Sequence, residues 1–356
     1  MTETRTTVRH RVHRFLNLVT TPLVPADYLD LINPLRPGGD LRGRIVARRR
    51  ETADAVSIEI RPGADWRSHV PGQHVRVGVD VNGVRHHRTY SLTSAPGGAT
   101  ITITPKRLRD GVVSTHLVEH SRVGDLVHLS QATGEFHLPE DVPAKVLLIT
   151  AGSGITPALG MLRAGLAAAA DVVHVHLDAT ADDVIGGADV RGLAAAGRLR
   201  LIEHHSSRHG RLTPSELCAL VTDWTDRQTW ACGPAELLDA LTTHWADHDL
   251  TDHLHIERFT PPQRAVIGDG GLVSFSGSAI EVDVPAGQTL LEAGEQAGVL
   301  MPSGCRMGIC HGCLTPLSKG AVRDVRTGAI TTAPDGESLP IQTCINEAAG
   351  PCQLDR

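Results

Sequence analysis

Three of the seven cysteines in this 356-residue chain lie within nine positions, in the stretch CRMGICHGC that runs from Cys305 through Cys310 to Cys313. Thirty residues separate Cys313 from a fourth cysteine, Cys344. Thiolates bind soft metals, attack electrophiles and exchange disulfides. No export signal is evident, so we expect a reducing compartment. There, clustered cysteines hold metal or do redox chemistry more often than they form structural disulfides.

Three kinds of site compete for this loop. A thioredoxin-like dithiol would use Cys310 and Cys313, but that motif opens a helix in a βαβ unit, and no such unit is visible around it. A structural zinc site typically contains two separated C-x-x-C pairs. The spacing C-x4-C-x2-C with a distant fourth cysteine is that of plant-type [2Fe–2S] centres, and glycines in the loop let backbone N–H groups approach the sulfurs. The pattern favours an iron–sulfur cluster bound by Cys305, Cys310, Cys313 and Cys344.

The stretch AGSGITP places Gly152 and Gly154 directly after an apolar strand. Thr156 is a suitable helix N-cap, and Pro157 suits the first helical position. Glycines let a backbone close around a pyrophosphate, and a helix amino terminus supplies N–H donors. A tight strand-to-helix turn is the structural alternative, but the context favours a dinucleotide. Further along, Cys232-Gly233-Pro234 ends another strand, where ligands of open α/β sheets bind, although Cys232 taken alone is typical of a small buried residue.

The stretch RTYS could hold an aromatic cofactor. Arg88 offers a phosphate clamp, Tyr90 a stacking face and Ser91 a hydrogen bond, while an ordinary strand is equally compatible with these residues. Downstream, KRLRDGVVSTHL carries a glycine followed by Ser114 and Thr115 near a predicted helix start, another phosphate-binding arrangement.

Two different patterns of apolar residues follow one another along the chain. Strands predicted at 55–60, 74–81 and 100–104, with an Asn82-Gly83 hairpin, indicate a small antiparallel β-barrel. From Lys145 onward, continuous apolar strands alternate with helices, which is typical of a doubly wound α/β domain. The predicted organisation is a basic extension over 1–40, the barrel over 41–142, the α/β domain over 143–259, a linker over 260–271 and a third, cysteine-containing domain over 272–356.

The charge distribution excludes one class of partner. A net charge of −6 argues against a general nucleic-acid binder. Residues 1–50 nevertheless carry ten Lys/Arg against four Asp/Glu. No apolar run reaches the roughly 18 residues of a membrane-spanning helix. We expect a cytoplasmic protein whose basic arm is compatible with peripheral contact at the inner face of the membrane.

Taken in order, these motifs make the chain resemble the ferredoxin–NADP reductase superfamily, with a carboxy-terminal plant-type [2Fe–2S] ferredoxin domain of β-grasp (α+β) fold. The resemblance covers residues 41–356. It implies that Arg88 contacts flavin phosphate, that Tyr90 stacks on the isoalloxazine and that Ser91 bonds near its N5. It also implies FAD rather than FMN. The pyrophosphate of FAD would be held by Gly111, Val113 and Ser114.

The same resemblance assigns the nicotinamide site. Gly152, Gly154, Thr156 and Pro157 would hold the nucleotide, and Cys232 of the Cys232-Gly233-Pro234 turn would lie close to the reacting ring. Tyr90, Ser91 and Cys232 are the expected catalytic residues. Phe259, in the segment ERF, would end the nucleotide domain against the flavin.

Two features disagree about the nicotinamide cofactor. Ser207-Arg208 follows the third strand of the α/β domain, where NADPH-using relatives place a Ser-Arg pair against the 2′-phosphate. Asp178, at the end of the second strand, would repel that phosphate and suits NADH. The strand motif is not the usual Rossmann fingerprint, so the arginine receives more weight and NADPH is slightly favoured over NADH.

These inferences predict an electron path from NAD(P)H to FAD to [2Fe–2S] to an external acceptor. A hydride carries two electrons and the cluster accepts one, a mismatch that a flavin resolves. The leader TPLVPADYLDLINPL resembles electron-transfer partners of acyl-CoA desaturases and alkane hydroxylases, which implies a non-haem diiron desaturase or hydroxylase as acceptor. A Rieske-type or soluble multicomponent oxygenase is one alternative. A one-electron carrier or redox-sensing module that only binds the nucleotide is the other.

Overall fold

A computed structural model describes residues 32–81, 83–109, 111–259, 270–304, 306, 308, 311–334 and 336–356. The basic segment before residue 32 lies outside these ranges, as do most of the predicted linker and the two ligand candidates Cys305 and Cys310. Within the described residues, no helix combines the length and the apolar character needed to cross a bilayer.

The first sheet is antiparallel and closes on itself. Its strand order is β4-β3-β6-β1-β2-β5. A bridge between Leu92 and Ile103 joins its two edges, so the expected barrel forms. Its strands are β1 (Arg42–Arg50), β2 (Val56–Pro62), β3 (His74–Val81), β4 (Val84–Ser91), β5 (Ile101–Ile103) and β6 (Leu126–Leu129).

Alternating apolar side chains fill the barrel. Ile45, Ile58 and Val77 are fully buried, as the two-residue period of half-buried strands requires. Strand β3 ends at Val81 and β4 begins at Val84, and Gly83 has φ +78°, which fits the predicted hairpin. Residues 33–40, predicted as part of the extension, contact the loop after β2, where Ala64 N donates to Leu35 O at 3.1 Å.

A short helical segment follows the barrel's fifth strand. It consists of an α-helical turn, Val112–Thr115, and a π-helical turn, His116–His120. Val113 and Leu117 insert into the barrel core, so this segment is held by packing.

The second sheet is parallel, in the order β11-β10-β7-β8-β9. Chain order reverses at β7, because β8 pairs on one side of it and β10 on the other. Such a switch point opens a crevice at the carboxyl ends of the strands. The strands are β7 (Lys145–Ala151), β8 (Asp171–Asp178), β9 (Arg200–His205), β10 (Gln228–Cys232) and β11 (Leu254–Glu257). The connecting helices are Ile155–Arg163, Leu166–Ala169, Gly187–Ala195, Ser206–His209, Pro214–Leu220 and Ala235–Ala246.

The third sheet has six strands in the order β13-β12-β17-β14-β15, with β16 paired to β14. The helix Leu290–Gln296 begins in a capping box formed by Thr289 and Glu292 and buries Leu290 among core residues that include Phe275. The strands are β12 (Gly271–Phe275), β13 (Ile280–Val284), β14 (Leu314–Asp324), β15 (Ile330–Thr332), β16 (Leu339–Gln342) and β17 (Asn346–Leu354).

The three sheets confirm the predicted fold class. One boundary differs from the prediction in detail, since Gly271, assigned to the linker, begins β12 by pairing with Val284. The domain boundaries as a whole stay predictions.

Candidate functional site

Two of the four predicted cluster ligands lie side by side in the third domain. The Sγ atoms of Cys313 and Cys344 are 3.2 Å apart, well beyond the roughly 2.05 Å of a disulfide bond. The two residues are 2% and 6% exposed. Both lie at strand ends, Cys313 just before β14 and Cys344 between β16 and β17. Strand pairing therefore brings together two thiols that are far apart in sequence.

Thr343 fixes the separation of these sulfurs. Its hydroxyl donates to the carbonyl of Cys313 at 3.0 Å, and its backbone N–H reaches the same oxygen at 3.3 Å. Thr343 is itself fully buried, so these bonds form away from water. Because Cys344 is the next residue, its thiol is held beside that of Cys313.

The loop before Cys313 turns repeatedly through left-handed backbone. Gly308 has φ +76°, and the non-glycine residues Arg306 and His311 have φ +60° and +54°. Such conformations are costly for side chains other than glycine and persist where the surroundings impose them. Gln342 donates to Gly308 O at 2.9 Å, and Arg306 pairs with Glu295 at 2.8 Å. The loop is thus anchored to β16 and to the helix Leu290–Gln296.

This arrangement fits an iron–sulfur cluster. Two buried sulfurs 3.2 Å apart would repel each other as thiolates without a cation between them, and the curled loop contributes two further cysteines in sequence, Cys305 and Cys310. Cys218 and Cys352 are the two cysteines that belong to none of the predicted sites. Burial raises the pKa of Cys218 to about 12 and that of Cys352 to about 11, so both stay protonated, as expected of structural cysteines.

Strand β4 carries the predicted flavin residues. Ser91 is 4% exposed, and its Oγ has no hydrogen-bond partner among the described residues. A buried hydroxyl without a partner is costly, and a hydrogen bond to a bound ring would satisfy it. Tyr90 is half-buried against the barrel core, while Arg88 is exposed and donates to His87 O at 2.8 Å. The strand therefore fits the predicted flavin contact, and the individual roles stay predictions.

The loop that resembles a pyrophosphate site is closed by its own side chain. The Ser114 hydroxyl donates to Gly111 O at 3.2 Å and accepts from Leu108 N at 3.1 Å. A Cβ on Gly111 would lie 2.4 Å from Ser114 Oγ, so a side chain there would have to displace that hydroxyl. Val113 is buried in the barrel core. In this structure the Ser114 side chain stabilises the loop. Gly111 and Val113 could contact a phosphate only through their backbone groups.

The two nucleotide motifs meet at the switch point. Thr150 and Cys232 are partners across β7 and β10, and a Cβ on Gly154 would lie 2.2 Å from the carbonyl oxygen of Cys232. Gly152 has φ +53°, and a Cβ on Gly233 would lie 3.0 Å from that of Ala151. Gly154 is therefore glycine because the end of β10 closes directly over it.

Cys232 is fully buried. Burial and the nearby Glu257 carboxylate raise the pKa of its thiol well above the usual range, so the group is a neutral thiol and not a thiolate. Pro234 immediately precedes the helix Ala235–Ala246. The predicted contact of Cys232 with the reacting ring stays a prediction.

The predicted start of the first nucleotide-domain helix was wrong. Gly152–Gly154 already form a 3-10 turn, and the α-helix begins at Ile155, ahead of Thr156 and Pro157. The Thr156 hydroxyl donates to Ser153 O at 2.9 Å, whereas an N-cap hydroxyl would accept from the helix. Both side chains are buried. Gly152, with φ +53°, begins the 3-10 turn that precedes the helix. Their contact with a nucleotide stays a prediction.

The residues that disagreed about the cofactor lie at one edge of the parallel sheet. Ser207 and Arg208 are exposed in the short helix Ser206–His209, where Ser207 N donates to Ala179 O at 3.2 Å. The Asp178 side chain is only 8% exposed. Phe259 is half-buried and is the last described residue before 270; its position against a flavin stays a prediction.

Sequence reasoning missed a buried polar cluster behind the nucleotide loop. Thr150 Oγ1 lies 2.8 Å from His174 Nε2 and 2.8 Å from His176 Nδ1, and both histidines are fully buried. The signal was present in the stretch VVHVHLD, where two histidines interrupt an otherwise apolar strand.

Comparison with known proteins places these sites in a family context. The 2Fe-2S iron-sulfur cluster binding domain family matches residues 273–345, and the oxidoreductase FAD-binding domain family matches residues 64–138. An NADPH oxidoreductase of Mycobacterium tuberculosis is 42% identical over 97% of this chain and 92% of its own length.

More distant similarities include a reductase component and a solved structure. The ferredoxin reductase component of 3-ketosteroid-9-alpha-monooxygenase from Mycolicibacterium smegmatis is 31% identical over 76% of this chain and 84% of its own length. The crystallised phthalate dioxygenase reductase superposes with a TM-score of 0.60 at 25% identity, covering 89% of this chain and 98% of that one.

The paired sulfurs lead to a metal-content prediction. Cys344→Ser is expected to lose most bound iron and labile sulfide, because serine is a poor substitute for a thiolate ligand, while FAD is retained. Cys352→Ser is the matched control, since Cys352 is also buried in this domain, and it should keep its iron. Colorimetric iron, sulfide and flavin content per chain measures both. Full iron content in a folded Cys344→Ser variant would contradict the ligand assignment.

The approach of Gly154 to β10 leads to a second prediction. In Gly154→Ala, a methyl group would clash with the Cys232 carbonyl, so the loop must shift and the affinity for NADP+ should fall by roughly tenfold or more. Gly192→Ala is the control, because nothing lies within 4 Å of a Cβ at that helical position. Isothermal calorimetry on the flavin-loaded protein measures both affinities. Wild-type affinity in folded Gly154→Ala is the contrary outcome.

Proposed function

We propose that this chain uses NADPH to supply single electrons to a non-haem iron oxygenase or desaturase. The chain belongs to the family of FAD-binding NAD(P)H oxidoreductases with a carboxy-terminal [2Fe–2S] ferredoxin domain. The observation that carries this proposal is the pair of buried sulfurs, Cys313 and Cys344, 3.2 Å apart in a chain that also has a parallel sheet with a glycine loop at its switch point. The chain is an NAD(P)H-dependent electron-transfer reductase that uses FAD and [2Fe–2S], which leaves no place for the pure carrier.

The chain's own residues bind and orient these groups. A bound flavin would supply the conversion of a hydride into single electrons, which a [2Fe–2S] cluster can accept one at a time. Gly152 leaves open space for a nucleotide at the end of β7, and Gly154 lets the end of β10 close against the loop. The Ser91 hydroxyl is available to hold the flavin ring. Cys313 and Cys344, both buried, would hold iron away from water, and limited solvent access tunes the potential of such a centre.

The preference for NADPH rests on Arg208. Its exposed guanidinium at the carboxyl edge of the sheet suits a 2′-phosphate, which planar guanidinium groups bind in a bidentate manner. The relative at 42% identity carries the name NADPH oxidoreductase, which supports the same choice.

The electron acceptor is proposed first as a class of enzyme and then as a specific type. Relatives are named as components of a monooxygenase and as a dioxygenase reductase, which supports an oxygenase as the partner class. Within that class we propose a diiron fatty-acyl desaturase or hydroxylase, on the strength of the leader TPLVPADYLDLINPL. A Rieske-type or soluble multicomponent oxygenase is the second candidate, and the relatives named after a monooxygenase and a dioxygenase are compatible with it. Rates of electron delivery to a purified enzyme of each type, from the same reduced protein, discriminate between them.

The order of the electron path leads to a prediction. Cys313→Ser should keep NADPH-driven reduction of a two-electron dye such as dichlorophenolindophenol within about twofold of wild type, because hydride transfer precedes the cluster. Reduction of cytochrome c, a one-electron acceptor, should fall more than about tenfold. Steady-state absorbance assays with each acceptor measure both rates. Equal loss of both activities in a folded, flavin-loaded variant would overturn the order.

The preference for NADPH over NADH leads to a further prediction. Arg208→Gln should lower kcat/KM for NADPH by roughly tenfold or more and leave that for NADH nearly unchanged, because only NADPH carries the phosphate. Arg198→Gln is the control, an exposed arginine outside the helix Ser206–His209. Dye-reduction kinetics with both cofactors give the ratio. Parallel loss with NADPH and NADH would contradict a phosphate contact.

Peripheral membrane contact and a cytoplasmic location stay predictions. Removal of residues 1–20, which carry four arginines, is expected to abolish sedimentation with vesicles that contain anionic lipid, because basic segments are attracted to such surfaces. Unchanged sedimentation of the truncated protein would rule out the arm as a membrane contact.

A further inference from the structure

In the buried cluster behind the nucleotide loop, the hydrogen bonds of Thr150 link the protonation of two histidines. Thr150 is the partner of His176 across β7 and β8, and its hydroxyl lies between His174 and His176 at 2.8 Å from each ring. A hydroxyl has one proton, so with neutral rings it donates to one of these nitrogens and accepts from the other. The two tautomers are therefore coupled.

Asp178 decides which tautomers form. His176 Nε2 lies 3.5 Å from Asp178 Oδ2, and neither atom has a hydrogen-bond partner among the described residues. At this distance the carboxylate still attracts an N–H and repels a lone pair. His176 therefore carries its proton on Nε2. Thr150 then donates to His176 Nδ1 and accepts from His174 Nε2. Burial lowers the pKa of His174 to about 3, so that ring is neutral.

The Asp178 carboxylate is turned away from solvent. Asp178 is the last residue of β8, at the carboxyl edge of the sheet, yet its side chain is only 8% exposed. Its Oδ1 accepts from Ala179 N at 2.8 Å, and its Oδ2 faces the His176 ring. A buried carboxylate is costly unless a neighbouring group compensates it. Asp178 Oδ2 has no hydrogen-bond partner among the described residues, and the His176 ring, at 3.5 Å, is its electrostatic contact on the inner side.

The outer side of this edge is formed by the helix that carries Arg208. Ser207 N donates to Ala179 O at 3.2 Å, and Ser206 Oγ lies 3.5 Å from Asp178 O. The helix is thus attached to the backbone beside Asp178. The edge presents a cation outward and turns its anion inward.

The other charge next to His176 is already paired. Glu203 on β9 is its cross-strand partner, but the Glu203 carboxylate accepts three hydrogen bonds from Arg191, at 2.8, 2.9 and 3.1 Å. Asp178 is therefore the carboxylate that the His176 ring faces.

We propose that His176 is a positioning residue for nucleotide selectivity, which holds the Asp178 carboxylate inside the sheet so that this edge accepts the 2′-phosphate of NADPH. The inference rests on the proposed function, and it resolves the conflict between Asp178 and Arg208. Without His176, the carboxylate would turn outward and repel the phosphate. The side chain that suits NADH in the sequence is withdrawn in the fold.

The test uses two probes that differ only in the phosphate, 2′,5′-ADP and 5′-AMP, with affinities measured by calorimetry on the full-length, flavin-loaded protein. In His176→Asn, the short amide can still reach Thr150 but not Asp178. This variant should lose roughly tenfold in the ratio of 2′,5′-ADP to 5′-AMP affinity, the order expected for an anion newly facing a phosphate. In His176→Gln, the longer amide keeps a donor near Asp178, and the ratio should stay within about threefold of wild type.

Two further variants separate charge from folding. His174→Gln places the same amide in the same buried strand without approaching Asp178, and it should leave the ratio unchanged. Asp178→Asn in the His176→Asn background should restore the ratio. Asp178→Asn alone, close to the surface and expected to fold, should change the ratio by less than about threefold, because the wild-type carboxylate does not face the phosphate.

The outcomes discriminate between the inference and its foundation. An unchanged ratio in folded His176→Asn, or a tenfold gain of 2′,5′-ADP affinity in Asp178→Asn alone, overturns the positioning role while the nucleotide function stands. If neither probe binds the wild-type protein, the nucleotide function fails and the inference falls with it.

Discussion

Convergence of thiolates is the constraint on which this chain's function depends. Sulfurs from Cys313 and Cys344 are brought to 3.2 Å only because β14, β16 and β17 belong to one sheet and Thr343 ties the two strand ends together. The preceding loop accepts left-handed backbone at Arg306 and His311, which is unfavourable for those residue types. The third domain thus adopts unfavourable backbone conformations next to the two buried cysteines.

The nucleotide site follows the same logic with backbone in place of sulfur. Gly154 and Cys232 are distant in sequence, but the reversal of strand order at β7 makes their strands neighbours. The carbonyl of Cys232 occupies the space that any side chain at position 154 would need. Behind this contact, Thr150 at the end of β7 lies 2.8 Å from both His174 and His176. The His176 ring in turn lies 3.5 Å from the Asp178 carboxylate at the end of β8.

Much of the fold and of the site could be predicted from local patterns. The run KVLLIT was predicted as a strand buried on both faces because its apolar residues are continuous, and it is β7. Gly83 marked a hairpin, and the cysteine spacing indicated a cluster, which the family match over 273–345 confirms. What the sequence could not show depended on tertiary contacts. The early turn at Gly152 made Thr156 a helical residue and not a cap. The Ser114 hydroxyl bonds within its own loop, and the Asp178 side chain is buried beside His176, while the predicted cofactor contacts of these two residues stay predictions.

Anaerobic titration with NADPH, followed by visible absorption, tests the central claim most directly. A chain that holds FAD and one [2Fe–2S] cluster should take up about three electron equivalents, two on the flavin and one on the cluster, with both absorption envelopes bleaching. Uptake of about two equivalents with only flavin bands bleaching, in protein that contains zinc or no metal, would contradict the account.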